Sequence, residues 1–383
     1  MHILIAPNSF KNSLTAPAVA EAIIQGLLQS SLPCTTQSFP IGDGGDGTAS
    51  LIIEKLHGIT YETEAKDPNG RKIKTSIGMA DNGKTAVIEM ADISGLKLLG
   101  QQKKDPLHAS SSGTGELIRF ALDKGARKII LCIGGSATVD GGCGILQVLG
   151  IRFLDASKNE LNGLPLSLLQ LDAIDITGID KRISETEFVI LCDVDNLLLG
   201  GKGAAATFGP QKGATRKDVR ILEKALNRLR DVSFRQTGKD MSKLRHGGSA
   251  GGTAAGLNIF LNAKLVQGAE HFLDIAGFDK ALRKADLLIT GEGSIDLQTL
   301  GGKGPLSVAL RAKKNNIPVI GLAGQIPLEI NDRLNEYFDV LLSIGHQPES
   351  VNEAMGHTAM NLHNVSYQIG KLLMMRQVEH RIR

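Results

Sequence analysis

The chain reads as an α/β protein: a doubly wound, mostly parallel six-stranded sheet domain with a second, inserted α/β domain containing hairpins. Three observations carry this reading. Short apolar runs rich in Leu and β-branched residues recur along the chain. Most end in loops of small and polar residues, and several of those loops lead into helix-like patterns. That rhythm is what a parallel sheet covered by helices on both faces produces. At 383 residues the chain also exceeds what one core usually fills, so two domains are expected.

The six runs are Ile3–Ala6, Thr35–Phe39, Lys128–Ile133, Asp286–Thr290, Ile317–Leu322 and Phe338–Ile344. All but the second are continuously apolar, as strands buried on both faces require. The first five end in the loops PNSFKNS, IGDGGDG, GGSATVDGG, GEGSID and AGQIP. After the first loop, Thr15 can cap a helix with Pro17 in its first turn and Val19, Ile23 and Leu27 on its apolar stripe.

Two stretches break the rhythm. Lys72–Met79 and Thr85–Met90 flank Asp81-Asn82-Gly83, and Asn-Gly between two alternating runs is a strong hairpin signal. Residues 145–263 hold a strand (Phe188–Cys192), a glycine-lysine loop and a charged helix (Thr215–Arg230). The expected division is 1–60, 106–144 and 264–383 for the sheet domain, and 61–105 with 145–263 for the inserted one. The active site is expected in the cleft between them, since ligands of open α/β sheets bind at the carboxyl ends of strands.

Composition narrows the function. Forty-five glycines without low complexity point to tight turns of the kind that approach phosphates. A net charge of +3, with dispersed Lys and Arg and no nucleic-acid-reading signature, argues against a nucleic-acid partner. Cys34, Cys132, Cys143 and Cys192 form no CxxC pair, and Cys132 and Cys192 sit in apolar runs as buried, reduced thiols. The histidines give no HExxH. MHILIAPNSF lacks the pattern of a signal peptide, and no apolar run approaches transmembrane length. A cytoplasmic protein without a membrane partner is expected; association with a second copy is left open.

Gly78–Thr85 matches G-x-x-x-x-G-K-[ST] letter for letter. A P-loop needs a helix after its lysine, whereas AVIEMAD after Thr85 reads as a strand, so the match falls on a hairpin turn and carries no phosphate. The stronger signal is Gly134–Gly142, which follows a buried strand and opens toward a helix. Gly134 and Gly135 let N–H groups converge on an anion, and Ser136 and Thr138 add hydroxyls. Ser110–Glu116 precedes an apolar helix and makes a second phosphate-cradle candidate through Ser112 and Thr114, with plain N-capping as the alternative.

Phosphoryl transfer needs cationic clamps, a metal on carboxylates and an acceptor for the hydroxyl proton. Acids in glycine-flanked loops are Asp43, Asp46, Asp140, Asp193, Asp195, Glu292 and Asp296; lysines in similar loops are Lys11, Lys202, Lys212 and Lys303. Mg²⁺ takes one or two carboxylates plus phosphate oxygens, which suits Asp193-x-Asp195 at a strand end.

At these loops the sequence resembles the bacterial two-domain glycerate kinases. The resemblance spans the chain: APNSFKNSLTA at 6–16, GDGGDGT at 42–48, SSSGTGELI at 110–118, IGGSATVDGG at 133–142, CDVDNLLLGGKGAAATFGPQKGA at 192–214, SAGGTAAGL at 249–257 and DLLITGEGSIDLQTLGGKGP at 286–305. It implies ATP- and Mg²⁺-dependent phosphorylation of D-glycerate, at the 2-hydroxyl in many members. Within the matching motifs, Asp193, Lys212 and Lys11 are assigned to catalysis, and Ser9, Asp43, Asp46, Ser136 and Asp140 to substrate. Ser112, Thr114, Gly134, Gly135, Glu292 and Lys303 are assigned to nucleotide, and Asp193, Asp195 and Asp296 to the metal. The chain departs from the family pattern at Asn8, Asn12, Asp46 and Val139, and Asn8 and Val139 are positions that could retune substrate choice.

Other readings remain. A dinucleotide-dependent dehydrogenase needs G-x-G-x-x-G after the first strand, and PNSFKNSL has no glycine. A non-catalytic sugar-acid binding module would not need so many loop acids and lysines. Within the kinase class, another small hydroxy acid or a polyol is the alternative acceptor.

Overall fold

The structure is a computed structural model and describes residues 1–100, 104–296, 299, 304–329 and 331–379. Its strands are β1 (His2–Ile5), β2 (Thr35–Ser38), β3 (Ile59–Lys66), β4 (Lys72–Ala80), β5 (Thr85–Glu89), β6 (Lys128–Cys132), β7 (Arg152–Leu154), β8 (Ala173–Asp175), β9 (Glu187–Cys192), β10 (Lys264–Gln267), β11 (Leu287–Ser294), β12 (Val319–Gln325) and β13 (Val340–Ser343). The chain divides into two compact units, Met1–Asp43 with Ala269–Arg383, and Gly44–Gly268.

The first unit is built on a parallel sheet in the order β13-β12-β11-β1-β2. From β1 the chain runs outward to the edge strand β2, then comes back to β11 on the other side and proceeds to β12 and β13. The loops after β1 and β11 therefore diverge, which is the switch point where such sheets take ligands. Ile3 and Ile5 point into one cluster with Val19, Ile23 and Leu27 of helix Ala16–Gln29 and with Leu362 and Ile369 of helix Thr358–Glu379. Leu4 is equally buried and, by the pleat, faces the other side. Burial on both faces, about 1.5–3 kcal/mol for each such side chain, explains why β1 reads as an unbroken apolar run. Thr15 holds the N-cap position with extended backbone and a proline in the first turn, but its hydroxyl makes no capping bond.

The second unit holds a mixed sheet in the order β10-β9-β6-β5-β4-β3. Its strands β10, β9, β6 and β5 are parallel, and β4 and β3 continue it antiparallel. A small hairpin, β7 with β8, stands apart from that sheet. One core joins Ile88, Leu131 and Ile190 of the strands to Leu117 and Ile118 of helix Ser112–Asp123 and to Leu222, Leu226 and Leu229 of helix Arg216–Thr237. The last helix starts on a reciprocal cap, Thr215 with Asp218, and stops at Gly238 in the left-handed region.

The α/β class and the mostly parallel sheets match the sequence reading, with two corrections. The first sheet has five strands rather than six, because β6 pairs with β5 and β9 and so lies in the second unit. Residues 44–60, 106–144 and 264–268, expected in the sheet domain, fall within Gly44–Gly268. A buried parallel strand looks the same whichever sheet it joins, so its apolar run could not reveal its partners.

The formal P-loop lies on the β4–β5 hairpin as expected: Gly78 pairs with Val87 and Ala80 with Thr85, and Asp81, Asn82 and Gly83 all have positive φ. Cys132, Cys143 and Cys192 are buried free thiols. Among the described residues no helix is long and apolar enough to cross a membrane.

Candidate active site

In the first unit the candidate residues gather at the switch point. Hydrogen bonds from the Ala6 and Asn8 amides to the Ile289 and Gly291 carbonyls continue the β1–β11 ladder past the strand end. Asn8 is buried; its Nδ2 donates to Asp43 Oδ2 at 2.8 Å and its Oδ1 accepts from the Ser9 amide at 2.8 Å. The amide at position 8 thus orients Asp43 by a bond that a carboxylate there could not donate. Glu292, at the end of β11, is buried and accepts from the Thr299 hydroxyl at 2.9 Å, while Thr299 Oγ1 accepts from the Asp296 amide at 3.2 Å. Thr299 was not foreseen; it fastens the loop that carries Asp296. Lys11 is exposed on the loop after β1, and Lys303 lies outside the described residues.

In the second unit the centre is Lys212. Only 2% of it is exposed, and its Nζ donates to Ser136 Oγ at 2.9 Å and to the Thr138 carbonyl at 2.7 Å. Burial pushes its pKa down to about 7, against the pull of Asp140 and Asp193, which favour the charged form. Asp140 is fully buried and accepts from the Ser111 amide (2.9 Å), the Ser111 hydroxyl (2.7 Å), the Gly142 amide (3.1 Å) and the Gly144 amide (3.2 Å). Ser136, Asp140, Asp193 and Lys212, predicted from separate motifs, therefore form one charged cluster past the carboxyl ends of β6 and β9. The Thr138 hydroxyl is buried and has no hydrogen-bond partner among the described residues.

The Gly44–Gly47 loop lies against the same turn. The Gly134 amide donates to the Gly44 carbonyl at 2.9 Å, and a side chain at Gly134 would meet the Gly45 Cα at 2.5 Å, so only glycine allows the approach. Asp46 is exposed, with Lys97 Nζ 3.9 Å from its Oδ1. Glu89, missed in the sequence, ends β5 and accepts from the Gly47 and Ala49 amides. A lone acid closing the apolar strand TAVIE was the available signal.

Some assignments take a different meaning. Thr114, expected at the nucleotide, is fully buried and its hydroxyl shares a hydrogen bond with Ser94 Oγ at 2.8 Å. Ser112 opens helix Ser112–Asp123, and a side chain at Gly113 would strike the Lys66 carbonyl, so the glycine there allows close packing. Asp195, expected at the metal, forms an ion pair with Arg245 at 3.1 and 3.0 Å, and His246 Nδ1 lies 3.1 Å from its Oδ1. Val139 is fully buried in the core. His246 and Ala250 hold positive φ in the glycine-rich loop whose Gly251 carbonyl accepts from the Gly141 amide, a third glycine loop of the site that the sequence reading left unassigned. Among the described residues no group of three or more His, Cys, Asp or Glu is arranged to hold a metal ion.

Comparison with known proteins gives these loops a family. The model described as "Glycerate kinase family" matches residues 3–374. A glycerate kinase of Bacillus subtilis (strain 168) is 41% identical, covering 94% of each chain. A glycerate 2-kinase of Escherichia coli (strain K12) is 40% identical over 96% of this chain and 97% of that one. A crystal structure of a candidate glycerate kinase 2 from Salmonella typhimurium LT2 superposes with a TM-score of 0.82 at 40% identity, covering 98% of this chain and 99% of that chain. With a family model spanning nearly its whole length and relatives near 40% identity end to end, this chain belongs to the glycerate kinase family and is a phosphotransferase acting on glycerate.

Proposed function

We propose that the enzyme transfers the γ-phosphoryl group of ATP to the 2-hydroxyl of D-glycerate with Mg²⁺. The observation that carries this reading is Lys212, a buried lysine fixed on Ser136 and the Thr138 carbonyl beside Asp140 and Asp193. A lysine whose pKa is depressed to about 7 regains its proton when an anion arrives, so its charge is coupled to phosphate binding. In such a dry setting a preorganised cation stabilises developing charge far better than in water. Asp193 takes the hydroxyl proton or binds the metal, and Ser136 and the Gly134–Gly135 turn meet the phosphoryl oxygens. Lys11 assists catalysis, Ser9, Asp43, Asp46 and Asp140 bind substrate, and Glu292 and Lys303 bind nucleotide.

With Asp195 paired to Arg245, Asp193 is the carboxylate beside Lys212 that would hold the metal. One or two acids suffice, because magnesium in such sites takes most of its remaining ligands from phosphates and water. The bound ion would supply charge neutralisation on the phosphates.

The test is ADP formation with D-glycerate, L-glycerate and a panel of hydroxy acids and polyols, with and without a chelator. Phosphorus NMR of the product distinguishes the 2- from the 3-phosphate. ADP formed with a different acceptor alone would overturn the substrate; a 3-phosphate would overturn the position; turnover in the chelator would overturn the metal.

A further inference from the structure

Glu89 is a buried acid that the proposed chemistry leaves unused. It closes β5 with 5% of its surface exposed. Its Oε1 accepts from the Gly47 amide at 2.5 Å and its Oε2 from the Ala49 amide at 3.0 Å, so both oxygens grip the start of helix Thr48–Lys55. Asp46 immediately precedes the gripped Gly47, and its loop rests on the Gly134–Ser136 turn: the Gly44 carbonyl accepts from the Gly134 amide, and Asp46 Oδ1 would meet any side chain at Gly135 at 2.8 Å. The segment 94–97 closes the third side, since the Leu96 amide donates to the Gly135 carbonyl at 2.9 Å and the Ala137 amide to the Ser94 carbonyl at 2.8 Å.

We infer that Glu89 is a positioning residue, whose ionised carboxylate clamps the Gly44–Gly47 loop so that Asp46 is presented beside Ser136. The inference rests on the reading of Asp46 as a substrate ligand. A carboxylate accepts two N–H bonds at once, whereas a protonated carboxyl commits one oxygen to its own hydrogen and holds the loop by the other. Burial is the main force that lifts the Glu89 pKa to about 7; the Gly47 and Ala49 amides and Lys97 oppose it, and Asp92 adds to it. The charged neighbours are few. Lys97 Nζ bonds Asp92 Oδ1 at 2.6 Å and lies 3.9 Å from Asp46 Oδ1. The Cys132 thiol belongs to the register partner on β6. Glu54 and Lys55 stand at the other end of helix Thr48–Lys55, and Glu116 of helix Ser112–Asp123 pairs with Lys66. The clamp therefore closes as pH rises through about 7 and slackens below it.

The experiment compares wild type with Glu89→Gln and Glu89→Asp. Gln copies the shape but has one acceptor oxygen; Asp keeps the charge on a shorter arm. In hydrogen exchange at pH 8, the peptide covering residues 44–50 should exchange about tenfold faster in Glu89→Gln, with the rest of the unit unchanged, the scale of one lost charged hydrogen bond. In kinetics, Glu89→Gln should raise the KM for glycerate more than it lowers kcat and should abolish the acid limb of kcat/KM. Glu89→Asp should restore that limb in part. Loss of the Lys212 proton affects the alkaline limb, so the two titrations separate. Unchanged exchange at 44–50 in Glu89→Gln, or a retained acid limb, would overturn the clamp. Should wild type make no ADP from glycerate while Glu89→Gln still loosens residues 44–50, the substrate reading fails and the clamp stands.

Discussion

Replacing Lys212 by Met separates charge from shape at the centre of the site. In the folded protein the Lys212 pKa is lowered from 10.5 to about 7. At 1.36 kcal/mol per pH unit, that displacement corresponds to about 5 kcal/mol of preference for the neutral amine, as an order of magnitude. The folded state binds fewer protons at this position than the unfolded chain between pH 7 and pH 10.5. Stability from this group therefore grows as pH rises through that window, and the penalty is largest below pH 7. Methionine removes the slope. It also leaves Ser136 Oγ and the Thr138 carbonyl without their donor, a loss of about 1–3 kcal/mol each for buried acceptors. The two effects oppose each other near pH 7, so Lys212→Met should melt within a few degrees of wild type there and fall progressively behind it toward pH 9.5. Turnover should drop on the order of a hundredfold or more near pH 7, the scale of losing a preorganised charge-stabilising donor, with the gap narrowing as wild-type Lys212 loses its proton. Thermal melts from pH 6.5 to 9.5 with parallel steady-state kinetics give both readouts. Parallel melting curves for the two proteins, or a variant with near-wild-type turnover, would refute the reasoning.

Three further predictions use the same measurements. Lys84 is exposed on the β4–β5 hairpin turn, so Lys84→Ala should keep the rate within a few-fold of wild type; a dead, folded variant would revive the P-loop reading. Thr114→Val breaks the buried bond to Ser94 and should lower stability by about 1–2 kcal/mol in urea titrations while the KM for ATP stays within twofold, and a large rise in that KM would return Thr114 to the nucleotide. Asp195→Asn should leave the magnesium concentration for half-maximal rate unchanged, because its carboxylate is held by Arg245, whereas Asp193→Asn should raise it; the reverse order would restore Asp195 as the metal ligand.

The elements of the fold were legible because each is locally coded. Ile3–Ala6 and Asp286–Thr290 are apolar on both faces, Asp81-Asn82-Gly83 dictates a turn, and Val19, Ile23 and Leu27 mark one helical face. Pairing was not legible, since nothing in KIILC says that β6 joins β5 and β9 rather than β1. Glycine loops were ambiguous for a related reason: the pattern permits close approach without naming what approaches. At Gly134 the neighbour is another loop, at Gly113 a strand carbonyl. Acids were ambiguous too, because the same residue type caps, pairs or catalyses. Asp195 looked like Asp193 until Arg245, fifty positions away, was brought beside it.

The parallel pairing of β1 with β11 has a consequence for how the chain is made. Ile3 finds its register partner in Leu287, so β1, an interior strand of the first sheet, leaves the ribosome long before one of its two neighbours exists. Everything from Gly44 to Gly268 is synthesised in between and can collapse around its own core. At about 5–20 residues per second, β1 and β2 wait on the order of tens of seconds for β11. During that interval β1, apolar on both faces, has an open edge, the form of strand most prone to pair with the wrong chain. The nascent first unit is thus the stage at which this protein most needs protection from its neighbours, and a chaperone that covers the first 43 residues would serve it better than one acting on the finished chain.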